Sequence, residues 1–388
     1  MAVGTTLCVV AGEKSEFRKF TDREGRTIHA RAIAIEDDRV TLQLHKNLMI
    51  YTIKLRTLSE PDQKWVSRWR KKREQEKNQR NLTADDSEDG DEYEPDWPRK
   101  IEANDYEIEV VKEDLDSEHS VFRSRYFQFE TNHKLARSVV KELAQVFEST
   151  YLAVDALPVE LNPKPMTVGY FQTRIYETAS QFVNDAQGNE NAAAHYNRVD
   201  RMIHVPMKSL GLEKGSTSYS FAGEPKTRVL VHEITHQVMH KWLHAMPVWL
   251  TEGFATYMER VPYENGRFRF NRMDMQDLFP DKEATVWTPE TLFSLTSRTW
   301  NQMLAENPLH AGKNYLSSFF YTYYFLHLDG EEEGAPMHQY LRQLEETGNH
   351  DEAVGALLQG RDFQTLQEQI QRAFDREEDI DLTFMNVH

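Results

Sequence analysis

Residues 226–238 read KTRVLVHEITHQV, a stretch that predicts a helix with two histidines and a glutamate. His232 and His236 are four residues apart, so a helix would place both imidazoles on one face, with Cβ atoms about 5 to 6 Å apart. Glu233 would leave the same helix about 100° further round. Pro225 precedes the segment and is compatible with a helix start. The apolar residues of the predicted helix supply a face for burial: Val229, Leu230, Ile234 and Val238.

Two imidazoles with this spacing can share one metal ion. Zinc is favoured because it accepts neutral imidazole nitrogens at about 2.0 to 2.1 Å and keeps a position open for water when three protein ligands bind. Glu233, beside the metal rather than on it, would then deprotonate that water. The alternative interpretation is an amphipathic helix with surface histidines.

A catalytic zinc site needs a third protein ligand, and four candidates follow the helix: His240, His244, Glu252 and Glu259. The metzincin pattern is absent, because Met239 and Trp242 stand where it has glycine and histidine. His240 would lie a full turn of about 5.4 Å along the same helix, too far for a third bond. Glu252 belongs to a second predicted helix within 247–257, PVWLTEGFATY, which can fold back and direct its carboxylate at the two histidines.

The motif HEITHQ at 232–237, together with WLTEGFA at 249–255, resembles the gluzincin metallopeptidases such as the aminopeptidase N group. The region from about 100 to 330 looks like a planctomycete-type family of zinc peptidases. This resemblance implies one Zn²⁺ per chain, bound by His232, His236 and Glu252, with Glu233 as the general base. It also implies hydrolysis of peptide bonds in a polypeptide substrate.

Two departures from the aminopeptidase N pattern bear on the reaction. Fifteen residues separate His236 from Glu252 where those relatives have eighteen, and FAGEP at 221–225 replaces their Gly-x-Met-Glu-Asn exopeptidase signature. An endopeptidase is therefore favoured, with a predicted hairpin at 193–205 as the platform for an extended substrate. The second interpretation is a non-catalytic scaffold or binding protein with a relic zinc site.

A run of aromatic residues from 315 to 325 has helical spacing and is predicted to form core. Within it, Tyr315 is the candidate for stabilising an oxyanion, because gluzincins commonly use a tyrosine or histidine of a later helix for this. His195 and His204 fall in predicted strands and are expected to be structural.

Residues 28–55 alternate between apolar and polar positions with the two-residue period of strands, which predicts a small antiparallel barrel or sandwich. With RKFTD at 18–22 and LSEPDQ at 58–63, this segment resembles the SH3-like homology module of Sla-type actin-cytoskeleton adaptors, which also occurs in planctomycete and verrucomicrobial proteins. We therefore assign residues 14–66 to an SH3-like module, whose ligand would be a protein or a peptide.

Runs of like charge follow the module, basic at 64–80 and acidic at 85–96. Such runs are typical of solvated linkers, so residues 67–98 are predicted to be a charged linker. Residues 99–388 are then predicted to form a gluzincin-like metallopeptidase domain.

Within this domain the patterns predict strands and helices, and the chain after Pro225 is expected to be mainly helical. The predicted strands are 106–112, 121–130 and 166–171, and the predicted helices are 134–152 and 173–185. The predicted fold class is α+β: a small N-terminal SH3-like β-barrel followed by a zincin-like domain, with a mixed sheet plus helices and an active-site helix that carries H-E-x-x-H.

Composition excludes several classes of protein. Lys and Arg number 46 against 63 Asp and Glu, a formal charge of -17, so nucleic-acid binding is not expected. No apolar run beyond the first dozen residues approaches the roughly 18 to 20 that span a bilayer. One cysteine, Cys8, excludes an internal disulfide framework. Residues 1–12 are small and apolar, with a cleavage-compatible Ala11, which favours export to the periplasm or outside over a cytoplasmic location.

Overall fold

The computed structural model describes residues 18–36, 39–44, 50–71, 93, 95–103, 108–113, 119–165, 169–186, 194–216, 218–221, 227–330 and 333–386. The predicted export segment 1–12, Cys8 and most of the predicted linker 67–98 lie outside these residues. The chain divides into two compact units, one of Met1–Glu94 with Arg342–Ala353 and one of Pro95–Leu341 with Val354–His388.

The N-terminal segment of the first unit is a four-stranded antiparallel sheet with the order β1-β2-β3-β4, followed by a helix. Its elements are β1 (Arg18–Thr21), β2 (Thr27–Glu36), β3 (Arg39–Leu44), β4 (Ile50–Lys54) and α1 (60–71). The predicted alternation is confirmed at the centre of the sheet, where Ala30, Ala32, Val40 and Leu42 are buried, whereas Ile28 is 40% exposed. Among the described residues β4 does not pair with β1, so the sheet is open there and closure into an SH3-like barrel stays a prediction.

The second unit mixes strands with helices, so the predicted α+β class is confirmed. Its strands are β5 (Ile101–Glu102), β6 (Glu109–Glu113), β7 (Ser120–Arg123), β8 (Phe127–Thr131), β9 (Phe171–Tyr176), β10 (His195–Asn197), β11 (Met202–Pro206), β12 (Leu212–Lys214), β13 (Tyr219–Phe221), β14 (Tyr263–Glu264), β15 (Arg267–Phe268), β16 (Glu283–Trp287) and β17 (Asp381–Met385). The helices beyond residue 95 are α2 (Arg137–Asp155), α3 (Ala179–Ala186), α4 (Thr227–Val238), α5 (Val248–Arg260), α6 (Met275–Leu278), α7 (Pro289–Ser294), α8 (Ser297–Glu306), α9 (Pro308–Tyr323), α10 (Ala335–Thr347), α11 (His350–Ala353), α12 (Gly355–Leu358) and α13 (Phe363–Ala373). No helix in the described parts of the chain is both long and apolar enough to cross a bilayer.

The central sheet has the order β10-β11-β9-β8-β7-β6. Strand β9 runs parallel to both of its neighbours, β8 and β11, and the other pairs are antiparallel. Helix α2 packs its apolar stripe on this sheet, and Phe147 meets the rings of Phe127 and Phe129 edge-on at 5.1 and 4.9 Å. The stripe predicted for this helix is confirmed at Val139, Leu143, Val146 and Phe147, which are buried. Leu135 is also buried, but it precedes the helix, which begins at Arg137 rather than 134, and it forms an isolated bridge with Tyr219.

The single strand predicted over 121–130 is wrong, because the chain turns back between β7 and β8. The turn is held from α2 by the buried Glu148, whose Oε1 accepts hydrogen bonds from the Ser124 hydroxyl at 2.6 Å and the Tyr126 N–H at 2.9 Å. A partner more than twenty residues away therefore determines this turn. Burial raises the pKa of Glu148, against the opposing effect of the bond from Ser124.

The helix predicted over 173–185 is wrong at its start, because residues 173–176 belong to the central strand β9. Backbone pairing on both sides of β9 outweighs the local helical pattern, and only α3 remains helical. The strand predicted at 166–171 begins only at Phe171, and 166–168 lie outside the described residues. Strand β17 was not predicted; it follows the last helices and pairs in parallel with β16.

Helix α9 and the π-helical turn Tyr324–Leu328 that follows it carry the predicted aromatic core. The prediction is confirmed by the burial of Phe319, Phe320, Tyr321, Tyr323, Tyr324 and Phe325, whereas Tyr315 is half-buried. Helix α5 crosses α9 closely at Gly253. A Cβ atom at this glycine would lie 2.0 Å from Thr322 Oγ1 and 2.7 Å from the Ser318 carbonyl oxygen. Only glycine therefore permits this approach, and the preceding residue is Glu252.

Gly253→Ala should therefore destabilise the protein by about 1 to 3 kcal/mol, because the methyl group must push two packed helices apart. Gly312→Ala is the matched control on α9, where an added Cβ meets no atom within 4 Å. Removing that helical glycine should stabilise by about 0.5 to 1 kcal/mol. Thermal unfolding of the two variants measures both effects, and an unchanged midpoint for Gly253→Ala would contradict the packing described here.

Candidate metal centre

Helices α4 and α5 carry the predicted site. The segment 227–238 is helical as predicted, and Leu230, Ile234 and Val238 are buried, whereas Val229 is 37% exposed. The two histidines lie on one face of α4, with His236 Nε2 3.2 Å from His232 Nε2. A short connection leads to α5, which packs against α4.

Glu252 completes the cluster from α5. Its Oε2 lies 3.4 Å from His232 Nε2 and 3.3 Å from His236 Nε2. The three ligand atoms all lie within 4.8 Å of one another, and in the described part of the chain no other group of His, Cys, Asp or Glu has this arrangement. The three side chains are between 11% and 14% exposed, so the cluster is largely shielded from water.

The donor set fits a zinc ion. The two imidazole nitrogens are 3.2 Å apart, a separation that two bonds of about 2.0 to 2.1 Å to one zinc ion can span at a tetrahedral angle. Two nitrogens and one carboxylate oxygen are the ligands of many catalytic zinc sites, which leave a fourth position open.

The contacts between Glu252 and His232 shift the pKa of both side chains. Burial alone would raise the pKa of Glu252, but the charge of His236 and hydrogen bonds from both histidines hold it well below its ordinary value. Burial opposes protonation of His232, but its hydrogen bonds to Glu252 and Glu259 outweigh burial and raise its pKa. Without a metal ion, a proton on His232 therefore supplies the positive charge that the carboxylates require.

Glu259 has a role that the sequence did not indicate. It was a candidate third ligand, but its Oε2 lies 3.1 Å from His232 Nδ1, on the side of the ring away from the cluster. It follows Glu252 by seven residues, two turns of α5, and this spacing was the available signal. A carboxylate on the second ring nitrogen fixes the tautomer and orientation of a metal-binding histidine.

Glu233 lies beside the cluster, as the helix geometry predicts. Its Oε2 accepts a hydrogen bond of 2.8 Å from the main-chain N–H of Tyr196 on β10. Tyr315 on α9 is also close, with its ring centre 6.2 Å from that of His232, and Trp300 packs against it edge-on at 5.4 Å. Burial and then the charges of Glu252 and Glu233 raise the pKa of Tyr315, so its phenol stays protonated at neutral pH.

The other predicted histidines lie outside the cluster. His240 does not continue α4 as expected, because the helix ends at Val238, and its Nδ1 lies 3.1 Å from the Gln237 carbonyl oxygen. His244 lies on the connection to α5, and its side chain is exposed. His195 and His204 are in strands as predicted, and His204 is buried between Asp200 and Tyr176.

Comparison with protein-family models gives no match for this chain. Comparison with the curated proteins likewise gives no similar protein.

The protein as purified should contain about one zinc per chain, and His232→Ala, His236→Ala and Glu252→Ala should each lose it, because three protein ligands are required. His240→Ala is the matched control and should keep the metal. Metal analysis of the purified variants measures this. Full zinc in Glu252→Ala, with loss in His240→Ala, would contradict the assignment of the third ligand.

Glu259→Gln should keep zinc but bind it about 10- to 100-fold more weakly, because the residue orients His232 without touching the metal. Competition with a chromophoric chelator measures the affinity. Glu346→Gln, an exposed glutamate on α10, serves as the control and should not change the affinity. An affinity for Glu259→Gln equal to that of the unmodified protein would mean that the contact with His232 is incidental.

Proposed function

We propose that the protein is a zinc-dependent peptidase of the gluzincin type that hydrolyses internal peptide bonds. The observation that carries this proposal is a largely buried cluster in which His232 and His236 of α4 meet Glu252 of α5. Glu233, the second residue of the H-E-x-x-H motif, lies beside this cluster. The same proposal includes a zincin-like arrangement for the second unit and an SH3-like barrel that binds a protein or peptide for the first. It also includes export to the periplasm or outside the cell.

Each residue of the site has its own role in the proposed reaction. His232, His236 and Glu252 would hold Zn²⁺, and Glu259 would keep His232 oriented. Bound zinc supplies Lewis acidity, which polarises a carbonyl group and lowers the pKa of a water molecule towards 7. Glu233 takes the proton of the attacking water and returns it to the departing amine. The protonated phenol of Tyr315 would donate a hydrogen bond to the developing oxyanion.

Endopeptidase activity is proposed because the sequence lacks an exopeptidase signature. An exopeptidase must bind a free terminal amine, and the signature that supplies this in the aminopeptidase N group is absent before α4. The hairpin of β10 and β11 lies at an edge of the central sheet, beside α4, where an extended polypeptide could pair with main-chain groups. Unfolded or extended polypeptide is therefore the proposed substrate class.

A non-catalytic scaffold with a relic metal site is the second candidate function. Such a protein needs the metal ligands for stability at most, and it has no need for a carboxylate at position 233 or a phenol at 315. The presence of both beside the cluster favours the enzyme.

Glu233→Gln should retain zinc but lose at least about 10² in cleavage rate, because the amide cannot accept the proton of water. The assay uses internally quenched peptides with both ends blocked, so that only internal cleavage gives a signal. Glu346→Gln is again the control and should cleave at the normal rate. Undiminished turnover in Glu233→Gln would contradict the mechanism, and cleavage confined to peptides with a free amino terminus would contradict the endopeptidase assignment.

A further inference from the structure

The carboxylate of Glu233 is held from outside its own helix. Tyr196 lies on β10 and its main-chain N–H donates to Glu233 Oε2 at 2.8 Å. Tyr196 pairs with Ile203 of β11, and β10 forms the end of the central sheet among the described residues. Since the acceptor of this N–H is on α4, the amide points away from β11. The bond therefore uses an edge donor that the sheet leaves unpaired.

The hairpin that presents this N–H is itself fixed by hydrogen bonds through the buried His204. His204, directly opposite His195 in the register, is 3% exposed. Its Nε2 lies 2.8 Å from Asp200 Oδ2 and its Nδ1 lies 2.8 Å from the Tyr176 hydroxyl. Asp200 also closes the turn, because its Oδ1 accepts the N–H of Met202 at 3.0 Å. The hairpin is thus tied to the central strand β9 through Tyr176.

A glutamate side chain has three rotatable bonds, and a general base that turns freely spends little time facing its proton donor. A hydrogen bond to one carboxylate oxygen restricts that rotation and leaves the other oxygen available for water. A carboxylate held by a main-chain amide also needs no rearrangement at the moment of reaction.

We infer that Tyr196 is a positioning residue for catalysis: its main-chain N–H holds Oε2 of Glu233, so that Oε1 faces the attacking water. This inference rests on the proposed peptidase function. It also changes the expectation for the hairpin as a substrate platform, because the outward amide of Tyr196 is already bonded and an extended substrate must pair with other groups of the edge.

The first test does not depend on activity. The protein is labelled with ¹⁵N-tyrosine and loaded with zinc, and NMR measures how fast each tyrosine amide exchanges its hydrogen with solvent. Tyr196→Phe, labelled in the same way, lacks one of these amide signals, and the missing signal belongs to Tyr196. We expect this amide to exchange at least about tenfold faster in Glu233→Ala than in the unmodified protein, because the substitution removes its acceptor. Equal exchange in the two proteins would overturn the inference, even if the protein cleaves peptides.

The second test separates positioning from substrate binding. Tyr196→Pro removes the N–H at an edge position where proline is tolerated, and Tyr196→Ala is the matched control that loses the ring but keeps the N–H. With zinc content equal, we expect kcat of the proline variant to be at least about tenfold below that of the alanine variant, with KM within about twofold. A raised KM with equal kcat would show that the amide binds substrate and would overturn the inference. Absence of cleavage by the unmodified protein would overturn the proposed function, and the exchange measurement would still decide the hydrogen bond.

Discussion

Two imidazole nitrogens and a carboxylate oxygen converge on one point in a largely buried site, and the surrounding structure depends on that convergence. The Nε2 atoms of His232 and His236 lie 3.2 Å apart, and Glu252 brings one carboxylate oxygen within 3.4 Å of both. If zinc binds here as proposed, its binding would be coupled to the folding of this region. Burial opposes protonation of His232, but its hydrogen bonds to Glu252 and Glu259 outweigh burial and raise its pKa, so zinc would compete with a proton for this side chain.

Each part of the cluster is held by a different element, and this explains the architecture of the second unit. Helix α4 supplies both histidines by its own periodicity. Helix α5 can present Glu252 only if its next residue is glycine, because α9 passes too close for a side chain at Gly253. The edge strand β10 holds the carboxylate of Glu233 from a third direction through Tyr196. The site therefore combines one local constraint, the spacing of H-E-x-x-H, with two tertiary constraints on neighbouring elements.

Features set by local spacing could be predicted from the sequence, and most features set by contacts between distant elements could not. The positions of His232, His236 and Glu252 could be predicted, because helical spacing fixes the first two and a short connection limits where the third can lie. The stripe of α2 and the hairpin of β10 and β11 were predictable for the same local reason. The turn between β7 and β8 was not, because distant Glu148 closes it, and the strand nature of β9 depends on pairing with two neighbours. The contact of Glu259 with His232 and the hydrogen bond from the Tyr196 amide to Glu233 were not predicted, because each joins two different elements.

Anomalous diffraction would show whether one zinc ion lies between these three side chains. Crystals of the protein as purified, measured on both sides of the zinc absorption edge, locate the metal without assumptions about its ligands. We expect one peak per chain, bonded to Nε2 of His232 and His236 and to a carboxylate oxygen of Glu252, at about 2.0 to 2.2 Å. A peak bound by other residues, or none at this cluster in protein that contains zinc, would contradict this expectation.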